Sequence, residues 1–247
     1  MGDQLESKDC WARNSADGCR IHYRVVGDGP HTVLMLPGIG NSPHEFGELP
    51  QTLARHGYKC VLVDQRGTGK SDHPKRPWSM HTAANDVVAV MDELGVDRSD
   101  VIGYSYGGMV AQKVALTSPG RVQSLVLIAT AGGMPYRHRS ARGWKKRFGH
   151  KAGMDEPDVR RERLAIATYL RSPRLRHLNA PTLIIHGTAD KTLPVSNGIS
   201  LRARIPRSEL RLVEGATHMI PHEASSQLAR EIRRFHSRVE LQQGLTT

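Results

Sequence analysis

Between residues 32 and 213, short and largely apolar runs alternate with helical stretches that carry one apolar face. The runs are Thr32-Val33-Leu34-Met35-Leu36, Lys59-Cys60-Val61-Leu62-Val63, Val101-Ile102, Ser124-Leu125-Val126-Leu127-Ile128-Ala129, Thr182-Leu183-Ile184-Ile185 and Glu209-Leu210-Arg211-Leu212-Val213. A strand without an alternating polar face has to be covered on both sides. Strands of this kind separated by amphipathic helices predict an α/β chain: a mainly parallel central sheet with helices on both faces. Ser42-Pro43 reads as a helix start, Phe46, Leu49 and Leu53 share one face, and Gly57 ends the segment. Ala83, Val87, Val90, Met91 and Leu94 keep helical spacing up to Gly95, and Val110, Val114 and Ala115 do so up to Pro119. Ile199 with Ala203, and Leu228 with Ile232 and Phe235, suit two later helices. Upstream, Cys19 to Val26 is rich in β-formers and is broken by Gly27-Asp28-Gly29-Pro30, which predicts an antiparallel pair with Thr32–Leu36 at the sheet edge.

One connection is too long for a strand-to-helix turn: Gly132 to Asn179. It carries Trp144, Phe148, Met154 and Tyr169, and Pro157 to Leu170 predicts a helix with Leu164, Ala167 and Leu170 aligned. The predicted organisation is a core of residues 18–132 and 180–238, a helical cap insertion at 133–179, and loose termini at 1–17 and 239–247. The 247 residues suit one domain with a sizeable core. The formal net charge of +11 is concentrated in the insertion, where residues 134–178 hold 13 Lys and Arg against four Asp and Glu. The rest of the chain is nearly balanced and carries no nucleic-acid motif, so no nucleic-acid partner is expected. No apolar run approaches a membrane span, and the acidic start lacks the apolar core of a signal peptide. Cys10, Cys19 and Cys60 have no metal spacing; three free thiols fit a cytoplasmic protein, with a Cys10–Cys19 bridge left open.

Gly103-Tyr104-Ser105-Tyr106-Gly107-Gly108 stands between an apolar strand and a helical run. A serine there is forced into a sharp turn that lifts its hydroxyl clear of the backbone, and parallel sheets bind ligands beyond the C-terminal ends of their strands. A serine hydroxyl needs a base, and a histidine base needs an acid to fix its tautomer. Asp190 follows one later strand in His186-Gly187-Thr188-Ala189-Asp190, and His218 follows the next in Gly215-Ala216-Thr217-His218. The order Ser, Asp, His suits this topology. Oxyanion donors are expected from the backbone N–H of Tyr106 and from that of Ile39 in Leu36-Pro37-Gly38-Ile39-Gly40. Asp64 with Arg66 reads as the support of the turn Gly67-Thr68-Gly69, His186 as packing, and His44 as a surface residue.

PGIGN at 37–41, DQRGTGKSD at 64–72, GYSYGG at 103–108, HGTAD with Pro194 at 186–194, and GATH at 215–218 resemble, in this order, the motifs of the α/β-hydrolase superfamily. The resemblance spans roughly residues 18–236. It departs at Pro37, where many members have histidine, and in a cap shorter than in many relatives. Within the superfamily, Gly38–Asn41 and Ala129–Gly133 are similar to intracellular polyhydroxyalkanoate depolymerases. The resemblance implies a serine hydrolase acting on carboxylic esters or thioesters through an acyl-enzyme, with no metal or organic cofactor. Ser105 sets the chain apart from haloalkane dehalogenases and epoxide hydrolases, which use aspartate as nucleophile. Two other readings are acyl transfer or cyclisation on a carrier-bound substrate, and a ligand-binding protein that kept the fold.

The densest basic cluster of the cap is Arg137, Arg139, Arg142, Lys145, Lys146 and Arg147. It reads either as a solvated helical surface or as a dock for an anionic substrate or acidic carrier protein. The substrate is expected to be a small-molecule or carrier-bound ester, and the oligomeric state is left open.

Overall fold

The computed structural model describes residues 8–40, 43–132, 157–169 and 174–244. The basic cluster from Arg137 to Arg147 lies outside these residues, as do Asn41, Ser42, Trp144, Phe148 and Met154. Eight strands form one sheet: β1 (Lys8–Arg13), β2 (Arg20–Val26), β3 (His31–Leu36), β4 (Tyr58–Val63), β5 (Ser99–Tyr104), β6 (Val122–Ile128), β7 (Thr182–Gly187) and β8 (Ser208–Val213). Their spatial order is β1-β2-β4-β3-β5-β6-β7-β8. The pairs β1/β2 and β2/β4 are antiparallel, and every other pair is parallel.

Most helices cover the sheet with the stripe their sequence carries; Ser196–Arg204 does not, burying Gly198 and Leu201 while the expected Ile199 is 53% exposed, because this helix packs through its small glycine side. On one face lie α1 (Leu49–Ala54) and α7 (Ser225–Gln243), whose Leu49, Leu53, Leu228, Ile232 and Phe235 pack on Val33, Met35, Ile102 and Val126. On the other lie α2 (Met80–Glu93), α3 (Tyr106–Thr117) and α5 (Ser196–Arg204), packed on Leu34, Leu36, Val101 and Leu127. Successive strand residues thus enter opposite layers, each wholly buried side chain of this size contributing ~1.5–3 kcal/mol. Two further helices among the described residues are α4 (Pro157–Tyr169) in the insertion and the short α6 (Ile220–Glu223). No helix among the described residues is long and apolar enough to cross a membrane.

The structure differs from the sequence reading in three further places. First, β2 does not pair with β3: it pairs with β1 and β4, and β3 runs between β4 and β5. Val33, Leu34, Met35 and Leu36 are all buried, which needs cover on both faces and neighbours on both sides; an edge hairpin offers neither. Second, part of the N-terminal stretch taken as loose is strand β1. Asp9 anchors it, receiving hydrogen bonds from His22 and Lys70. At the other terminus α7 runs on to Gln243 and closes on Gly244 in the left-handed conformation. Third, α4 buries Val159, Glu162, Ala165, Ile166 and Tyr169, whereas Leu164 is 54% exposed. Its contact face follows the strand ends beneath it, and Tyr169 donates to Gln112 Oε1 on α3 at 3.0 Å. Cys10, Cys19 and Cys60 carry free thiols, so no bridge joins the first two.

Candidate active site

Ser105 stands where β5 turns into α3, with φ 51° and ψ −114°. This left-handed conformation is unfavourable for a residue with a side chain. It is held by the Ser105 N–H donating to Ile128 O at 2.9 Å and by Thr130 Oγ1 donating to Ser105 O at 2.5 Å. The turn also needs room. A Cβ on Gly107 would lie 2.0 Å from the Leu36 carbonyl oxygen, so only glycine lets α3 start against the end of β3.

The loops after β7 and β8 bring the sequence-predicted partners to this serine. His218 Nε2 lies 3.1 Å from Ser105 Oγ, and His218 Nδ1 lies 2.8 Å from Asp190 Oδ2. The other carboxylate oxygen, Asp190 Oδ1, accepts the N–H groups of Thr192 and Leu193, each at 2.8 Å. Burial opposes ionisation of Asp190. Hydrogen bonds from His186 and His218, with the Leu193 N–H, outweigh it and hold the carboxyl well below the usual carboxylate range. Among the described residues no group of three or more His, Cys, Asp or Glu is arranged to hold a metal ion.

Three supports were not legible as such. Tyr104 donates its hydroxyl to the His218 carbonyl at 2.9 Å and packs its ring 5.4 Å from the imidazole. His186, read from sequence as packing, is wholly buried beside the aspartate loop. Its Nε2 donates to Leu193 O at 2.7 Å and lies 3.5 Å from Asp190 Oδ2. Glu223 holds the histidine loop, accepting the Thr217 N–H at 2.7 Å and the Thr217 hydroxyl. Tyr104 and His186 lie within GYSYGG and HGTAD, but those motifs assign neither side chain a role; the roles depend on which loops meet.

The early turn after β3 begins level with Gly103, the residue paired with Leu36. Gln65 Nε2 donates to Pro37 O at 2.8 Å, Gly38 N–H donates to Glu45 at 3.0 Å, and Gly40 N–H donates to Glu162 at 2.7 Å. Of the three amides from Gly38 to Gly40, the one at Ile39 has no acceptor among the described residues. Tyr106 supplies the first N–H of α3, which the helix itself cannot satisfy. Asp64 lies away from this group: its Oδ2 accepts the Lys70 N–H at 2.9 Å and faces His22 Nδ1 at 2.8 Å. Arg66 pairs with Asp86 and Asp17, and His44 is exposed.

Residues 31–153 match the family model for the alpha/beta hydrolase fold. The chain belongs to the α/β-hydrolase superfamily. It is 29% identical over 243 residues to a 2-hydroxy-6-oxononadienedioate/2-hydroxy-6-oxononatrienedioate hydrolase from Cupriavidus pinatubonensis, covering 81% of this chain and 84% of that one. Among solved structures, a meta-cleavage product hydrolase from Pseudomonas fluorescens IP01 superposes with a TM-score of 0.77 at 22% identity, covering 94% and 97% of the two chains. An esterase from Rhodococcus sp. ECU1013 superposes with a TM-score of 0.73 at 26% identity, covering 94% and 99%. This α/β hydrolase therefore resembles proteins named for different substrates, and the fold alone does not choose between them.

Proposed function

We propose that this α/β hydrolase is a serine hydrolase of carboxylic esters or thioesters. The observation that carries the reading is the run Asp190–His218–Ser105, at 2.8 and 3.1 Å, ending on a serine in a strained turn. Ser105 Oγ attacks the carbonyl carbon as His218 Nε2 takes its proton, and Asp190 holds the imidazole and stabilises its charged form. The Ile39 and Tyr106 N–H groups receive the oxyanion, each lowering the barrier by about 3 kcal/mol. Collapse breaks the C–O or C–S bond, and His218 returns the proton to the departing alcohol or thiol. Water then attacks the acyl-enzyme, giving its proton to His218, and the acid leaves as Ser105 regains its proton.

A second reading keeps the same three residues and changes the bond. The curated relative is named for 2-hydroxy-6-oxononadienedioate. That compound has a ketone and no ester, so its hydrolysis must break a carbon–carbon bond beside the carbonyl. A panel of p-nitrophenyl acyl esters, acyl thioesters and a 2-hydroxy-6-oxo dienoic acid, run on wild type and Ser105→Ala, separates the two. Ester or thioester turnover that vanishes in the variant is the expected result. Turnover confined to the dienoic acid would replace the first reading with the second.

Docking of an acidic carrier at the basic insertion belongs to the same proposal. Turnover of a carrier-bound thioester should then fall steeply with salt while that of a small neutral ester stays level. Equal salt dependence would remove the carrier. The free thiols fit a cytoplasmic setting.

A further inference from the structure

The turn after β3 is gripped by carboxyl groups from two sides. Glu45 follows it in the chain and accepts the Gly38 N–H; Glu162 comes from α4, in the insertion, and accepts the Gly40 N–H. Ile39 lies between those two amides. We propose that Glu162 is a positioning residue, the side chain through which the cap helix holds the Ile39 N–H where a developing oxyanion can receive it. The inference rests on the serine-hydrolase reading above.

Three observations support it. Glu162 is wholly buried, and its Oε1 meets no partner among the described residues. An unpaired buried carboxyl is a burden on stability that an apolar residue at this position would not impose. Stability therefore does not explain a glutamate at this position, whereas its 2.7 Å bond to the turn does. The contact is also sterically fixed. Gly40 has φ +64°, and a Cβ on it would lie 2.7 Å from Cγ2 of Val159, a residue of the same α4 face. Turn and helix are thus seated on each other as a unit.

The charge state fits the task. Burial pushes the Glu162 carboxyl well above the usual range; the Gly40 N–H works against this, and Asp158 and Glu45 add to the rise. Asp158 is itself engaged by His73 and Arg161, and the Tyr106 phenol lies on the α3 side. That shift favours the neutral acid, which still accepts the Gly40 N–H through an oxygen. It does so without setting a negative charge beside a hole meant for an oxyanion.

The test uses the full chain as wild type, Glu162→Leu and Glu162→Gln, with Glu162→Met replacing the leucine variant should that one not fold. Four quantities are read: kcat and KM for a small p-nitrophenyl ester, the rate of phosphonylation of Ser105 by a fluorophosphonate, and Tm. In the leucine variant kcat and the phosphonylation rate should fall about 10- to 100-fold, with KM within about threefold and Tm equal or higher. The glutamine variant, whose amide oxygen can take the Gly40 N–H, should recover most of that loss. A leucine variant as fast as wild type, a rise in KM alone, or a glutamine variant as slow as leucine would overturn the role of Glu162. Wild type that is not labelled on Ser105 at all would remove the serine-hydrolase reading itself.

Discussion

His218 and His22 sit in different regions of the sheet, and each points Nδ1 at an aspartate Oδ2 2.8 Å away. The surroundings of their second nitrogens differ. His218, in the loop after β8, turns Nε2 to the Ser105 hydroxyl. His22, on β2 at the antiparallel edge, turns Nε2 to a second carboxylate, Asp9, at 2.9 Å. With a carboxylate at each nitrogen, His22 faces no hydroxyl that it could activate. An Asp–His pair is therefore not a site by itself. It becomes one when the far nitrogen meets a nucleophile at the open end of the sheet, and it is a staple when that nitrogen meets an acid that ties down an edge strand.

Substitutions on the two sides should separate these roles, and the largest effect is expected at Ser105, the proposed nucleophile. Ser105→Ala should reduce ester turnover at least ~10⁴-fold with Tm little changed, measured by steady-state kinetics and calorimetry. Asp190→Asn should follow at about 10³- to 10⁴-fold, because the amide no longer holds the productive tautomer of His218. At the other pair the effect should move from rate to stability. Asp64→Asn should leave kcat within about threefold but lower the unfolding free energy by ~3 kcal/mol in urea titration, since a buried partner is lost. A large kcat loss in Asp64→Asn, with an unchanged urea midpoint, would erase the distinction drawn between the pairs.

The sequence carried these two regions unequally. The parallel strands were readable because burial on both faces leaves continuous apolar runs, as in Ser124–Ala129 and Thr182–Ile185. The candidate site was legible because the chemistry proposed for it is tied to strand ends, and Ser105, Asp190 and His218 each follow a strand in the sequence. The antiparallel edge was not. β1 has the sequence Lys-Asp-Cys-Trp-Ala-Arg, with no apolar period; it is held by Asp9 to His22 and Lys70, contacts that run between distant positions. The false hairpin of β2 with β3 came from trusting a Gly-Pro break, when four buried residues in a row require a central strand. Glu162 was invisible for a related reason. In a helix full of charges nothing in the sequence distinguishes the one acid that points inward.

A smaller effect sharpens the contrast by pH. His236, on α7, faces Tyr58 through Nδ1 at 3.0 Å with Asp100 at 3.8 Å, and burial holds its pKa below the ordinary 6.5. Asp100 and Glu240 push upward and His31 downward, but burial prevails. The imidazole resists protonation in the fold more than in the unfolded chain, where it titrates near 6.5. Its share of stability is therefore present above pH 6.5 and is lost as pH falls below that value. Tm should drop by a few degrees between pH 7.5 and 5.5, and His236→Gln should flatten that slope without altering kcat at pH 7.5. A slope unchanged in the variant would assign the acid sensitivity to other groups.

The measurement that bears most directly on the difference between the two histidine pairs is covalent labelling with a fluorophosphonate, read by intact and peptide mass spectrometry. Wild type, Ser105→Ala, His218→Ala and His22→Ala would be treated side by side and checked for folding. One adduct on the peptide holding Ser105 is expected in wild type and in His22→Ala. It should be absent in Ser105→Ala and strongly slowed in His218→Ala. No adduct in well-folded wild type, or equal labelling with and without His218, would contradict the account that His218 activates Ser105.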